Sequence, residues 1–380
     1  MQVHFIDNQA SLAAICQQFA QSEFLALDTE FVRQTTYYPI LALLQVCDGE
    51  QIAIIDPLAI EDLSPLMTVL YNKDIPKAIH SARQDMEIFY HLNDAVPEAL
   101  FDTQVSAALL GYGEQIGYAA LVKLLLNVEL DKSQTRTDWL KRPLTQKQID
   151  YAADDVRYLA KLYPVQKQKL QDLGRLEWLQ KDFQFLSNSA TYTPSPDTMW
   201  KKTKGMNRLK KQKLAVLKNL AAFREDLAIQ QNRPRRRVMT DELLIALATN
   251  PPGELSELQQ LQGLSHKFLE YNGDTLIKLI QQGLDTLDDD CPKLPSYDKL
   301  NQNEEALADC LMAIVHLSAN NNNISPRCLC SRKDLDALIK GKRDLALLSG
   351  WRNELIGKHL LQFLAGKAQL SYNAGQLVFN

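Results

Sequence analysis

Phe24-Leu25-Ala26-Leu27-Asp28-Thr29-Glu30-Phe31 is an apolar run that ends in two carboxylates one residue apart. A strand buried on both faces needs a continuous apolar run, and Phe24 to Leu27 supply one. Such a strand ordinarily stops before it meets charge; this one runs straight into Asp28. Side chains two apart on a strand share a face, so Asp28 and Glu30 aim at one spot. Two anions held together at the end of a buried strand repel. A hard divalent cation such as Mg²⁺ or Mn²⁺ relieves that repulsion, because it prefers carboxylate and water oxygens. The competing reading is two surface acids in a loop, since an Asp-x-Glu arises from composition alone about once or twice in a chain this long.

The length of 380 residues predicts two or three domains. The formal net charge of −4 hides an asymmetry: Trp200 to Thr240 holds thirteen Lys/Arg against Glu225 and Asp226, a balance of +11, which leaves −15 elsewhere. An acidic body with a basic segment predicts a polyanionic partner rather than a membrane. The six cysteines form no Cys-x-x-Cys and match no His pair, so neither zinc nor a disulfide framework is expected, and a reducing cytoplasm fits. The N-terminus lacks the basic-then-apolar pattern of a secretory signal, and no uncharged apolar run approaches about 18 residues. Neither a Gly-x-x-x-x-Gly-Lys loop nor a dinucleotide fingerprint is present, so no nucleotide cofactor is expected.

In chain order, Val3–Ile6 reads as a strand, followed by a helix capped by Asp7 or Asn8 and running to Phe19. Strands are expected at 24–30, 41–47 and 51–55, the last two joined by the turn signal Asp48-Gly49. Helices at 63–70, 82–92 and 103–110 then alternate with strands at 77–80 and 100–101, an α/β pattern whose later strands should be parallel. Asp85 falls early in a helix after a strand. It could approach Asp28 and Glu30, or be a first-turn acid favoured by the helix dipole. Thr145 to Leu162 is a long helical pattern in which Tyr151 and Asp155, four apart, share a face while Asp154 points elsewhere.

The order Asp-x-Glu, Asp, Tyr-x-x-x-Asp resembles the DEDDy branch of the DnaQ-like 3′-to-5′ exonucleases. The surrounding text carries the same resemblance: Asp28-Thr29-Glu30-Phe31-Val32-Arg33, Thr36-Tyr37-Tyr38-Pro39, His80-Ser81-Ala82-Arg83-Gln84-Asp85, Arg136-Thr137-Asp138-Trp139-Leu140 and Tyr151-Ala152-Ala153-Asp154-Asp155-Val156. It implies a ribonuclease H-like α/β catalytic domain, a mixed sheet flanked by helices, over residues 1–190. After a linker at 191–208, Phe223-Arg224-Glu225-Asp226-Leu227-Ala228, Asn232-Arg233-Pro234-Arg235-Arg236-Arg237-Val238 and Gly273-Asp274-Thr275-Leu276-Ile277 resemble the HRDC domain, a small all-α module, placed at 209–286. A further linker at 287–299 precedes a second HRDC-like all-α domain at 300–380, marked by Leu347-Leu348-Ser349-Gly350-Trp351-Arg352.

The resemblance implies a 3′-to-5′ exoribonuclease that hydrolyses phosphodiesters with two divalent metal ions, Mg²⁺ or Mn²⁺, and acts on RNA, in particular tRNA precursors with 3′ trailers, as a monomer. By the family pattern Asp28 bridges both ions, Glu30 and Asp155 hold the one that activates water, Asp85 helps hold the other, and Tyr151 orients the attacking water. Backbone at Thr29 to Phe31, with Gln45, His80, Lys132, Arg136 and Trp139, is expected to receive the RNA 3′ end. For His80 a satisfied histidine at a strand end is the alternative, and for Trp139 a packing anchor. Arg233, Arg235, Arg236 and Arg237 are expected to grip the RNA backbone. The competing functions are a DNA exonuclease with the same chemistry and a non-catalytic nucleic-acid scaffold.

Overall fold

The computed structural model describes residues 1–131, 133–135, 137–294 and 299–380, which form two compact units. The first comprises Met1–Phe31, Leu41–Thr191 and Asp298–Asn380; the second comprises Val32–Ile40 and Tyr192–Tyr297.

The first unit is built on a six-stranded sheet of order β1-β4-β3-β2-β5-β6. Its strands are β1 (Gln2–Ile6), β2 (Leu25–Val32), β3 (Ile40–Cys47), β4 (Gln51–Ile55), β5 (Lys77–Ile79) and β6 (Leu100–Asp102). β1 runs parallel to β4, β3 antiparallel to β4, and β2, β5 and β6 are mutually parallel, the mixed sheet that the sequence predicts. The helices are α1 (Gln9–Phe19), α2 (Ser64–Leu70), α3 (Arg83–Asn93), α4 (Thr103–Leu109), α5 (Tyr118–Leu126), α6 (Gln146–Asp172) and α7 (Gln180–Leu186). Leu25, Ala26 and Leu27 are fully buried, as a central strand requires. Ala26, Leu43, Ile52, Ile54 and Ala78 of the sheet share one core cluster with Ala152, Ala153, Val156 and Leu159 of α6. That helix therefore covers the sheet face on which, by strand alternation, Asp28 and Glu30 also stand.

Helix α6 opens on a capping box between Thr145 and Gln148 and runs ten residues past Leu162, through Pro164. A proline inside a helix removes one hydrogen bond. Burial beyond it offsets the loss: Leu170 is fully buried, and Gln166 donates to the Thr103 carbonyl at 3.1 Å.

The C-terminal part of this unit is helical from α13 (Gln302–Asn321, numbered after the second unit's helices) to Leu364, then closes in a hairpin of β7 (Leu370–Asn373) and β8 (Gln376–Phe379). The all-α expectation for 300–380 fails at this hairpin. Ala374 and Gly375 both take positive φ, as a two-residue hairpin turn of matching twist demands. The segment is tied to the α/β part by a stacked pair, Trp178 on Trp351, with ring centroids 4.6 Å apart. Arg175 adds a donor to the Leu109 carbonyl and another to the Asn322 carbonyl.

The second unit contains α8 (Gln212–Gln230), α9 (Arg235–Val238), α10 (Asp241–Thr249), α11 (Leu255–Gln259) and α12 (His266–Leu284). α8 and α12 cross closely at Gly283, where a Cβ would lie 2.6 Å from the backbone of Val216. Residues 196–202, expected to be linker, form a helical turn whose Met199 and Trp200 are buried in this unit's core with Leu217, Leu220 and Leu276.

Candidate active site

β2 delivers Asp28 and Glu30, and α6 delivers Asp155. One carboxylate oxygen from each lies within 4.8 Å of the other two. They line a cleft of about 450 Å³ together with Tyr151, His80 and Tyr118. Tyr151, one turn before Asp155, is hydrogen-bonded to Thr135. Asp154 turns aside and pairs with Arg157 at 2.9 Å, as helical spacing predicts.

Asp85 sits in the first turn of α3 and is buried, and it accepts a hydrogen bond from Thr29 Oγ1 at 2.5 Å. It is outside the three-carboxylate cluster but near enough to act on Asp28 and Glu30 electrostatically. Its helix is aimed by Asp102 at the end of β6. Asp102 accepts from the backbone N–H groups of Ser81 and Ala82 at 3.1 and 2.9 Å and also caps α4. Ser81 takes a left-handed φ of 63°, strain of the kind that persists where the surroundings hold it.

The acids depress one another's ionisation. Burial, then the charges of Asp155 and Asp85, push Asp28 well above the usual carboxylate range. Burial, then Asp28 and Asp85, push Glu30 up to about 9. Burial, then Glu30 and Asp154, raise Asp155, and burial raises Asp85 to about 7. Converging oxygen donors that cannot all be charged alone are a suitable set for a hard divalent ion, whose charge restores them to carboxylates. The residues present therefore fit a metal centre.

Several residues expected to touch RNA are engaged elsewhere. Gln45 is 0% exposed within β3 and is not among the residues that line the cleft. Trp139 is 4% exposed and packs against Tyr151 at 6.0 Å, so it is the packing anchor and offers no face to a base. His80 lines the cleft, but Nδ1 bonds Thr103 Oγ1 at 2.9 Å and Nε2 the Ile116 carbonyl at 3.1 Å. The Thr29 hydroxyl is taken by Asp85, and Phe31 is half-buried on β2. Lys132 and Arg136 lie outside the described residues. Arg235 pairs with the buried Glu225, and Arg236 with Asp241 and Glu242, whereas Arg233 and Arg237 are exposed. Tyr118, which donates to the Asp154 carbonyl at 3.0 Å and packs on His80, was not singled out in the sequence. Its only local signal is a tyrosine just after the glycine that starts a helix.

A family profile described as 3′-5′ exonuclease matches residues 3–171, and one described as HRDC domain matches residues 213–280. With the mixed sheet and the acidic cleft, these matches define the class: a 3′-to-5′ exonuclease, dependent on divalent metal, carrying an HRDC module. The chain is 37% identical to ribonuclease D of Bartonella henselae over 94% of its own length and 88% of the relative's. It is 37% identical to ribonuclease D of Sphingobium indicum over 99% and 98%. The crystal structure of Escherichia coli RNase D, an exoribonuclease involved in structured RNA processing, superposes with a TM-score of 0.84 at 32% identity, covering 97% of this chain and 100% of that one. The chain belongs to the ribonuclease D family, and it is a 3′-to-5′ exoribonuclease with RNA as substrate.

Proposed function

We propose that the chain removes nucleotides from RNA 3′ ends as nucleoside 5′-monophosphates, with two Mg²⁺ or Mn²⁺ ions held by Asp28, Glu30, Asp85 and Asp155. Its substrates in this reading are tRNA precursors with 3′ trailers, met in the cytoplasm by a monomer. The observation that carries the reading is the convergence of Asp28, Glu30 and Asp155 within 4.8 Å at an open cleft. Ions bound there would acidify a water and neutralise charge on the leaving 3′ oxygen.

The protein's own groups divide the remaining work. Asp28, Glu30 and Asp155, with Asp85 steadied by the Thr29 hydroxyl, would hold the ions. Burial and the neighbouring carboxylates raise the Tyr151 phenol above its ordinary range. It therefore keeps its proton and orients the attacking water instead of abstracting from it. His80, with both ring nitrogens occupied, shapes the cleft wall. Residues 1–190 carry the chemistry, 209–286 grip RNA backbone through Arg233 and Arg237, and 300–380 form the second HRDC-like domain.

The test compares matched RNA and DNA strands bearing the same short 3′ trailer. Shortening of RNA well ahead of DNA supports the reading, since only RNA offers 2′-hydroxyl contacts. Equal rates would move the assignment to a general 3′-to-5′ exonuclease.

A further inference from the structure

The C-terminal part of the first unit encloses a cavity of about 340 Å³ that shares no lining residue with the acidic cleft. α13 forms one wall, presenting Ile314, Ser318 and Asn321 on a single helical face. β8 forms a second wall with Phe379, and Glu354, Leu355 and His359 form the third. That third wall begins in a π-helical turn, Asn353–Gly357, a departure from α geometry found mostly as single turns and frequently at functional sites. Ser318 Oγ ties the turn to α13 by donating to the Leu355 carbonyl at 2.8 Å.

Four asparagines, Asn320 to Asn323, span the end of α13, although asparagine is a poor helix former. Two of them have structural duties. Asn323 takes a left-handed φ of 48° just past the helix, and the Asn322 side chain donates to the Ser318 carbonyl at 2.8 Å while its backbone carbonyl accepts from Arg175. Asn321 is exposed at the cavity, and its side chain has no hydrogen-bond partner among the described residues. The His359 ring lies 5.5 Å from that of Phe379, tilted by 38°, and its nitrogens likewise have no partner among the described residues. The cavity therefore presents an aromatic face, an amide that both donates and accepts, and an imidazole that can do either. Its one carboxylate, Glu354, pairs with Lys358 at 2.5 Å. Residues 300–380 hold nine Lys/Arg against seven Asp/Glu, a balance of +2 in a chain of −4, so a polyanion is not repelled. The volume is at the lower end of the roughly 300–1,000 Å³ of small-ligand sites, room for one nucleotide and not for a duplex. Bases read in single-stranded RNA are splayed out, stacked on aromatic rings and hydrogen-bonded along their edges.

We propose that this cavity seats one unpaired base of the RNA substrate, stacked on Phe379 beside His359 and hydrogen-bonded along its edge by Asn321. It gives the C-terminal segment a hold on RNA through a base instead of through phosphates, and that hold is insensitive to salt. The proposal rests on RNA being the substrate and is independent of the ions assigned to the acidic cleft.

The test follows binding of a labelled single-stranded RNA to the full chain by fluorescence anisotropy, in EDTA so that no strand is cut. Phe379→Leu removes the ring but keeps apolar packing. Asn321→Ala is the second probe, and it keeps the test independent of damage to the fold because that side chain is exposed and lies outside the core cluster of this segment. Phe379→Leu is expected to weaken binding by about 5- to 100-fold, as loss of one base–aromatic stack does. Asn321→Ala should weaken it by about 2- to 10-fold, as loss of one hydrogen bond does. The slope of log K against log salt should stay the same in both, because no phosphate contact is lost. A second arm places an abasic site at each position of the RNA in turn. At one position at least, the missing base should weaken binding to wild type yet cost Phe379→Leu nothing further, the coupling of two groups in contact. Unaltered affinity in both variants overturns the proposal, as does a loss accompanied by a flattened salt slope, or abasic losses that add in full to the Phe379→Leu loss at every position. Because binding is read without metal, failure of the two-ion reading leaves this outcome intact.

Discussion

Replacing Glu30 by Gln should stabilise the metal-free protein while crippling the enzyme. Folded Glu30 titrates at about 9 against an ordinary 4.5, because burial and the charges of Asp28 and Asp85 oppose its ionisation. Between those values the folded chain holds a proton that the unfolded chain has released, so stability falls as pH rises from about 4.5 to about 9. Each unit is worth about 1.36 kcal/mol. At pH 7.5, three units above the ordinary value, the accumulated penalty is on the order of 4 kcal/mol, an upper figure because neighbouring acids share the strain. Gln is nearly isosteric and does not titrate, so it removes the penalty. The assay is urea denaturation of EDTA-treated wild type and Glu30→Gln at pH 5.5 and pH 8. The variant should be the more stable at both, with an advantage of about 1 kcal/mol at the lower pH and several at the higher. Adding Mn²⁺ at about 100 times its Kd should return about 2.7 kcal/mol to the wild type and little to the variant. A Glu30→Gln protein less stable than wild type in EDTA at pH 8, or an advantage that does not grow with pH, would refute the electrostatic account of the site.

If the phenol orients water and holds no ion, as proposed, Tyr151→Phe should lower kcat by roughly 10- to 100-fold and leave the metal concentration for half-maximal activity unchanged; a shifted metal midpoint would argue against that role. Arg233→Ala with Arg237→Ala should weaken RNA binding and flatten the slope of log K against log salt by about 1.4, at about 0.7 for each phosphate left unneutralised. A salt titration by fluorescence anisotropy that finds the slope unchanged would remove these arginines from the interface.

The catalytic geometry was readable where it depended on spacing along one element. Strand alternation put Asp28 and Glu30 on one face, and helical spacing put Tyr151 beside Asp155 and turned Asp154 away. What could not be read depended on partners far apart in the chain. Arg235 looked like a free cation in a basic run, yet its carboxylate partner Glu225 also takes the hydroxyl of Tyr37, 188 residues earlier. Gln45 stood in an apolar run, and nothing local distinguishes a polar residue facing the substrate from one sealed inside the sheet. For His80 the sequence left substrate contact and a satisfied histidine both open, and only the distant partners Thr103 and Ile116, which occupy its two ring nitrogens, favour the second. The helical pattern expected to end at Leu162 instead runs on through Pro164 to Asp172, where Gln166 and Leu170 are buried.

The central claim is that Asp155 completes a metal-dependent site acting on RNA 3′ ends. Its most direct test is a time course on 5′-labelled RNA with a short 3′ trailer, run with Mg²⁺ or Mn²⁺, with EDTA, and with Asp155→Ala. The account predicts a metal-dependent ladder shortening from the 3′ end that is absent in EDTA and in the variant, although the variant still binds the RNA. Near-normal shortening by Asp155→Ala at saturating metal, or shortening that persists in EDTA, would contradict it.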